Sequence, residues 1–145
     1  MAALSITAAS VLMSANGKSA DGIAGAAITA GQVLYKDAAD SNKLKLADAD
    51  GAAALRNVCG IALNSAAAGQ PVEYCIKDPA LVIGATITIG YVAILSSTAG
   101  GIAPVADGVN PLEMIILGVG VSTTAMACNF TAGAVLRSVA VVPVP

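Results

Sequence analysis

The hydrophobic and polar positions of this chain alternate in short runs, which is the pattern of half-buried β-strands. Residues 43–46 (KLKL) alternate strictly between polar and apolar. Residues 32–36 place Val33 and Tyr35 on one face of a strand and Leu34 on the other. The pattern therefore predicts strands rather than helices.

Short apolar runs separated by Gly- or Pro-containing turns predict the remaining strands. The predicted strands cover residues 27–30, 32–36, 43–46, 58–63, 70–77, 81–83, 86–89, 91–95, 102–105, 114–121, 128–130 and 134–142. Residues 48–51 predict a turn and residues 52–56 a single helical turn. No helical period is sustained, and Pro104 and Pro111 would interrupt a helix. We therefore expect an all-β fold, either a compact β-barrel or a β-sandwich.

One motif occurs twice along the chain. Residues 26–34 (AAITAGQVL) return as residues 85–93 (ATITIGYVA), 59 residues later. In the same order, residues 46–48 match 105–107, and residues 58–62 match 116–120. We expect an N-terminal arm over residues 1–24 and a single β domain over residues 25–145. This domain would hold a first repeat (25–78) and a second repeat (84–138), each too small to be stable alone.

Charge is scarce and unevenly distributed. Only 11% of the 145 residues are charged, whereas about a quarter is usual in soluble chains. Eight charged residues lie between positions 36 and 56, but only Asp107, Glu113 and Arg137 lie between positions 79 and 145. Because isolated monomers rarely expose large apolar patches, we expect the second half to face another subunit or a larger surface.

The composition argues against nucleic-acid and membrane partners. The net charge is −2, and with no Trp and one Phe there is neither a basic footprint nor a stacking platform. The uncharged spans 79–106 and 114–136 are long enough for membrane helices, but Gly, Pro and β-branched residues interrupt them. The first 17 residues contain no Lys or Arg, so export is not expected.

No candidate catalytic chemistry emerges from the residues. The chain has no His, the residue most used for general base catalysis at neutral pH. Cys59, Cys75 and Cys128 are odd in number and lack metal-site spacing, so we interpret them as small core residues in a reducing cytoplasm. We expect a protein that is not an enzyme, with no catalytic, cofactor-binding or metal-binding residues.

Three short motifs are better explained by structure or chance than by binding. Residues 48–51 (DADG) resemble part of a calcium loop but lack its third oxygen ligand and terminal Glu. Residues 118–120 (GVG) lack the third Gly of a nucleotide loop, and we expect a strand with close backbone approach. Residues 129–131 (NFT) match a glycosylation acceptor, but the pattern without a secretory signal favours chance.

Four segments taken in order resemble the small capsid decoration, or cement, proteins of tailed bacteriophages. They are AGAAITAGQVLYKDAAD (24–40), KLADA (45–49), VCGIALN (58–64) and AAGQPV (67–72). The resemblance covers residues 24–77 and, more loosely, the second repeat. It implies a β-rich homotrimer on the outer surface of an icosahedral head, bridging neighbouring major capsid proteins. It also implies synthesis in the host bacterial cytoplasm and no reaction, cofactor or small-molecule substrate.

Two other functions remain open at this point. A non-enzymatic β binding module, such as a phage fibre head or a carbohydrate-binding domain, would usually present aromatic platforms. The chain offers only Tyr35, Tyr74, Tyr91 and Phe130. The other is an enzyme of unrecognised type. If the decoration hypothesis is right, a charge at Ile87 or Ile116 should disrupt trimer or shell binding more than a charge at Ala39.

Overall fold

The computed structural model of the chain describes residues 3–105, 113–130 and 137–139. The eleven strands in these residues are β1 (Val11–Leu12), β2 (Lys18–Ile23), β3 (Val33–Asp37), β4 (Lys43–Leu46), β5 (Val58–Ala62), β6 (Pro71–Ile83), β7 (Val92–Leu95), β8 (Ile102–Pro104), β9 (Glu113–Gly120), β10 (Ala125–Asn129) and β11 (Arg137–Val139). Short 3-10 helices cover Ala8–Ser10, Ala38–Asp40 and Ala53–Arg56. Pro111, Thr131 and most of the predicted strand 134–142 lie outside the described residues.

The strands form one antiparallel sheet that curls into a half-barrel, which confirms the all-β prediction. The order across the sheet is β4-β3-β5-β6-β10-β9-β7-β8. Read inward from its two ends, the order is β4-β3-β5-β6 in the first repeat and β8-β7-β9-β10 in the second. The two repeats therefore arrange their strands in the same way. No helix among the described residues is long and apolar enough to cross a membrane.

Strand register shows that the two repeats share a backbone arrangement. In the first repeat Val33 of β3 pairs with Ile61 of β5. Their counterparts in the second repeat, Val92 of β7 and Val119 of β9, also pair. Each ladder has a register irregularity after its second residue pair. The duplication in the sequence is thus a duplication in the sheet.

The motif centres on a glycine turn that also recurs. Gly31 and Gly90 have φ values of +92° and +84°, a region that favours glycine. The N–H of Gly31 donates to the carbonyl of Ala62, and the N–H of Gly90 donates to the carbonyl of Gly120, both at 2.8 Å. Each turn therefore fixes the strand that follows it against the closing strand of its own repeat.

The strands predicted over residues 27–30 and 86–89 do not form, although Ile28 makes a single antiparallel β-bridge with Ala66, and the chain turns at residues 29–32 and 88–91. The N–H of Gln32 donates to the carbonyl of Thr29 at 3.1 Å, and the N–H of Tyr91 donates to that of Thr88 at 3.0 Å. In each bond the donor lies three residues after the acceptor, so the bond closes a tight turn immediately before β3 or β7. Ile28, Ala30 and Ile87 are buried as strand residues would be, whereas Ile89, directly before Gly90, is 76% exposed.

A single long strand, β6, replaces the two predicted over residues 70–77 and 81–83. Pro79 argued against one strand, since proline cannot donate to a ladder. The pairing with β10 shifts register between Asp78 and Leu81, so Pro79 lies in the irregular part. A bulge lets β6 pass through both repeats.

The described part of the predicted N-terminal arm lies against the sheet. Val11 of β1 pairs with Ile83, and Ala20 of β2 pairs with Tyr74, both in β6. On its other edge β6 pairs with β5 and β10. The long strand is therefore paired along both edges.

Two apolar clusters make the core. The larger one joins the repeats and includes Val33 and Ile61 from the first and Leu117 and Met126 from the second. The smaller one lies on the other face of the first repeat and includes Leu34. The predicted alternation, with Val33 and Tyr35 on one face and Leu34 on the other, is confirmed.

Candidate interaction surface

Equivalent positions of the two repeats differ in burial. Four side chains of the first repeat are at most 1% exposed, those of Val33, Val58, Ile61 and Cys75. Strand register gives their counterparts in the second repeat, which are Val92, Ile116, Val119 and Ala127. Val119 is 42% exposed and the other three are partly exposed. We call these four residues the open face.

A groove of about 480 Å³ runs beside the open face. Its apolar wall includes Ile116, Val119 and Ala127, and Pro79 of β6 faces them. Polar side chains at its rim are those of Asn16, Lys77 and Asn129. The groove is thus mainly apolar with a polar border, as in the central part of protein interfaces.

Asp78 also lines this groove, although it is only 1% exposed. Its carboxylate accepts hydrogen bonds from the backbone N–H of Ser14 at 2.7 Å, from the Ser14 hydroxyl, and from the N–H of Ala80 at 2.9 Å. These bonds fasten the N-terminal segment to β6. Sequence reasoning missed Asp78; its signal was a lone acid inside a largely apolar run.

Burial and a contact between Cys75 and Cys128 shift the pKa values of the cysteines. Cys75 and Cys128 are buried, and all three cysteines are free. A hydrogen bond that the Cys128 thiol donates to Cys75, together with burial, raises the pKa of Cys128, and the same bond lowers the pKa of Cys75. Burial raises the pKa of Cys59 to about 11. The core interpretation is confirmed for Cys75 and Cys128, whereas Cys59 is only partly buried.

Charged side chains cluster around the edge strand β4, at the first-repeat end of the sheet. The Nζ of Lys45 lies 2.7 Å from Oδ2 of Asp37 and 3.2 Å from Oδ2 of Asp40. The hydrogen bond from Lys45 lowers the pKa of both Asp37 and Asp40. Charged side chains on an edge strand discourage pairing with another sheet. This edge is protected, in contrast to the open face.

The short motifs take their structural roles. The N–H of Gly51 donates to the carbonyl of Asp48 at 3.2 Å, which confirms the predicted turn. A Cβ at Gly118 would collide with the carbonyl oxygen of Ala127, which confirms close backbone approach. Among the residues that the structure describes, no three His, Cys, Asp or Glu side chains are grouped to hold a metal ion.

The aromatic side chains are turned inward. Tyr35, Tyr74 and Phe130 are 3% to 7% exposed, and Tyr91 is half-buried. These four are the chain's full set of aromatic residues. None of them offers the exposed platform that stacks on a sugar ring.

No family model and no curated protein matches this chain.

Proposed function

We propose that the protein is a structural virion component. It decorates the outer surface of a bacteriophage icosahedral head as a homotrimer and stabilises the shell by bridging neighbouring major capsid proteins. The observation that supports this most is the open face, an apolar surface on a body whose charges are concentrated elsewhere. The resemblance of residues 24–77 to capsid decoration proteins points the same way.

The physical basis of such a role is multivalency. Each contact between one chain and one capsomer can be weak, because three linked chains that engage adjoining capsomers raise the effective affinity by about 10²–10⁴. No reaction, cofactor or small-molecule substrate is needed. The buried aromatic side chains give less support to a glycan-binding module.

The first experiment is co-sedimentation with undecorated phage heads, combined with light scattering of the free protein. We expect saturable pelleting with the heads and a mass near three times the 14.0 kDa of one chain. A stable monomer that does not pellet with heads would refute the proposal.

A charge at Ile116 tests whether the open face, rather than the solvated loop of the first repeat, binds the phage heads. Ile116 is partly exposed and lines the groove, whereas Ala39 is exposed in the charged loop of the first repeat. We expect Ile116→Lys to weaken head binding at least about tenfold, since a buried lysine at a contact loses its hydration. The control Ala39→Lys should bind as the unchanged protein does.

The same substitution at Ile87 would be less informative. Ile87 is 3% exposed and belongs to the larger core cluster, so a charge there tests folding rather than binding. Equal head binding by folded Ile116→Lys and Ala39→Lys variants would count against the proposal.

A further inference from the structure

We propose that the groove beside the open face binds an aliphatic peptide segment with one acidic side chain, and that Lys77 and Lys18 hold the carboxylate of this segment. The inference rests on the proposed function, because the phage shell would supply the segment. It goes further by naming the chemistry of the segment and the residues that recognise its charge.

Two lysines lie side by side at the rim of the groove. Lys18 of β2 is directly opposite Lys77 of β6 in the strand register, and Asn129 of β10 is opposite Lys77 on the other edge of β6. All three residues are exposed. Directly opposite residues of an antiparallel pair point to the same face of the sheet, with Cβ atoms about 5 Å apart. The three residues therefore form a polar row across three strands.

The two lysines of the polar row are not explained by the fold. Like charges directly opposite each other destabilise a strand pair. Among the residues that the structure describes, no ion pair includes Lys18 or Lys77. Lysines often protect an exposed sheet edge, but Lys77 has a paired strand on each side. A charge pair that costs stability is expected where it contributes to binding instead.

The polar row borders the apolar wall of the groove. Lys77 and Pro79 of β6 are both exposed and both line the groove. Because they are two residues apart in one strand, their side chains are about 7 Å apart along it. Asn129 and Ala127 have the same relation in β10, and Ala127 pairs with Val119 of β9. A segment that lies in the groove therefore meets apolar side chains over most of its length and positive charge at one end.

The one carboxylate that already lines the groove does not neutralise these lysines. Asp78 is 1% exposed, and its oxygens accept hydrogen bonds from Ser14 and from the backbone N–H of Ala80. None of the described ion pairs includes Asp78. The ammonium groups at the rim thus remain available to a carboxylate from another molecule.

Size and charge together define the occupant. A groove of about 480 Å³ has room for a few side chains. Nucleic acid would need a much larger basic surface than two lysines on a chain of net charge −2. A wholly apolar segment would leave the lysines without a partner. An acidic side chain next to aliphatic ones complements both the wall and the polar row.

Two dyes test the chemistry of the groove without phage heads. Anilinonaphthalene sulfonate and N-phenyl-naphthylamine share their aromatic rings, but only the sulfonate is charged. Fluorescence titration should show that wild type binds both. Lys77→Gln should weaken binding of the sulfonate at least about threefold and leave the neutral dye unaffected, because only the charged contact is lost. The matched control is Lys36→Gln, an exposed lysine of β3 outside the groove, which should change neither.

A second variant changes the wall instead of the rim. Ile116→Glu should weaken binding of both dyes, since it places a charge among the apolar side chains. Circular dichroism should show that both variants are folded. Lys77→Gln should not lower the melting temperature, because it relieves repulsion from Lys18. A purely structural role of Lys77 predicts the opposite: lower stability and unchanged dye binding.

Phage heads then test the partner. Lys77→Glu should bind heads at least about tenfold more weakly than Lys36→Glu does. Added salt should weaken head binding by wild type more than by Lys77→Gln, because salt screens the charged contact. A carbodiimide, which joins a lysine amine to a carboxylate in contact with it, should link Lys77 or Lys18 to an acidic residue of the shell protein flanked by aliphatic residues. Mass spectrometry of the linked peptides identifies that residue.

Several results would overturn the inference. These are equal binding of the sulfonate dye by wild type and Lys77→Gln, an equal loss with Lys36→Gln, or cross-links of both lysines only to other copies of this chain. The proposed function can fail separately. Lys77-dependent binding of the sulfonate dye by a protein that ignores phage heads would support the chemistry inferred for the groove and refute the decoration role. Head binding that Lys77→Glu leaves intact would overturn the inference alone.

Discussion

Ile61 and Val119 hold the same register position in the two repeats, yet Ile61 is fully buried and Val119 is 42% exposed. Their backbones make equivalent ladders, and the glycine turns that position those ladders are equivalent too. The difference comes from what packs on each repeat. Local sequence sets the register of a motif, whereas its neighbours decide which side it exposes.

The N-terminal segment adds to the asymmetry because it is present only once. Ala24 belongs to the smaller cluster that covers Leu34, and β2 lies along the first-repeat end of β6. In the second repeat Ala93, the counterpart of Leu34, packs in the larger cluster between the repeats. Among the described residues, the first repeat is thus covered on both faces, whereas the second is buried on its other face at Ile94 and Ala103 but exposed at Val119.

The largest expected effect tests this comparison directly. Ile61→Ala should lower the free energy of unfolding by about 2–5 kcal/mol, because it leaves a cavity in the core. Val119→Ala should change it by no more than about 0.5 kcal/mol, as at other surface positions. Urea unfolding at low protein concentration measures both. Similar losses at the two positions would show that the second repeat is covered as the first is.

A smaller difference is expected at the two glycine turns. Gly90→Ala should cost about 1–2 kcal/mol for its positive φ alone, since no atom lies within 4 Å of the added Cβ. Gly31→Ala should cost at least about 1 kcal/mol more, because its Cβ would lie 2.7 Å from Cγ2 of Ile6 in the N-terminal segment. Thermal unfolding of the two variants gives this difference. Equal costs would mean that the N-terminal segment does not press on the first repeat.

The smallest effect concerns the charged edge of the first repeat. Lys45 lowers the pKa of Asp37 and Asp40 below the ordinary value of 3.8 in the folded state. A lowered pKa stabilises the fold above the unfolded-state value and ceases to do so as pH falls through the folded-state pKa. Lys45→Met should therefore be less stable than wild type at pH 7, and this deficit should shrink below pH 3.8.

The control for this prediction is Lys18→Met, which removes the same charge from β2. Unfolding curves recorded from pH 7 down to pH 2 would show a pH-dependent deficit for Lys45→Met alone. A deficit that stays constant over this range would mean that the carboxylates of Asp37 and Asp40 do not carry the effect.

The sequence by itself determined the all-β class, the duplication and the alternation of Val33 and Leu34. These features arise from neighbours along the chain: a two-residue period, glycines that allow positive φ, and spacing repeated 59 residues apart. The scarcity of charge in the second half was also visible in the sequence, and the expectation that this half faces a partner stays a prediction.

Only the tertiary structure decided the continuity of β6 through Pro79, the burial of Asp78 and the identity of the open face. Each depends on partners far away in sequence: β10 for the bulge, Ser14 for the carboxylate, and the first repeat for the buried side of the second. Val119 has the same local pattern as Ile61. Burial is decided by what packs against a side chain, so a local pattern cannot distinguish the two.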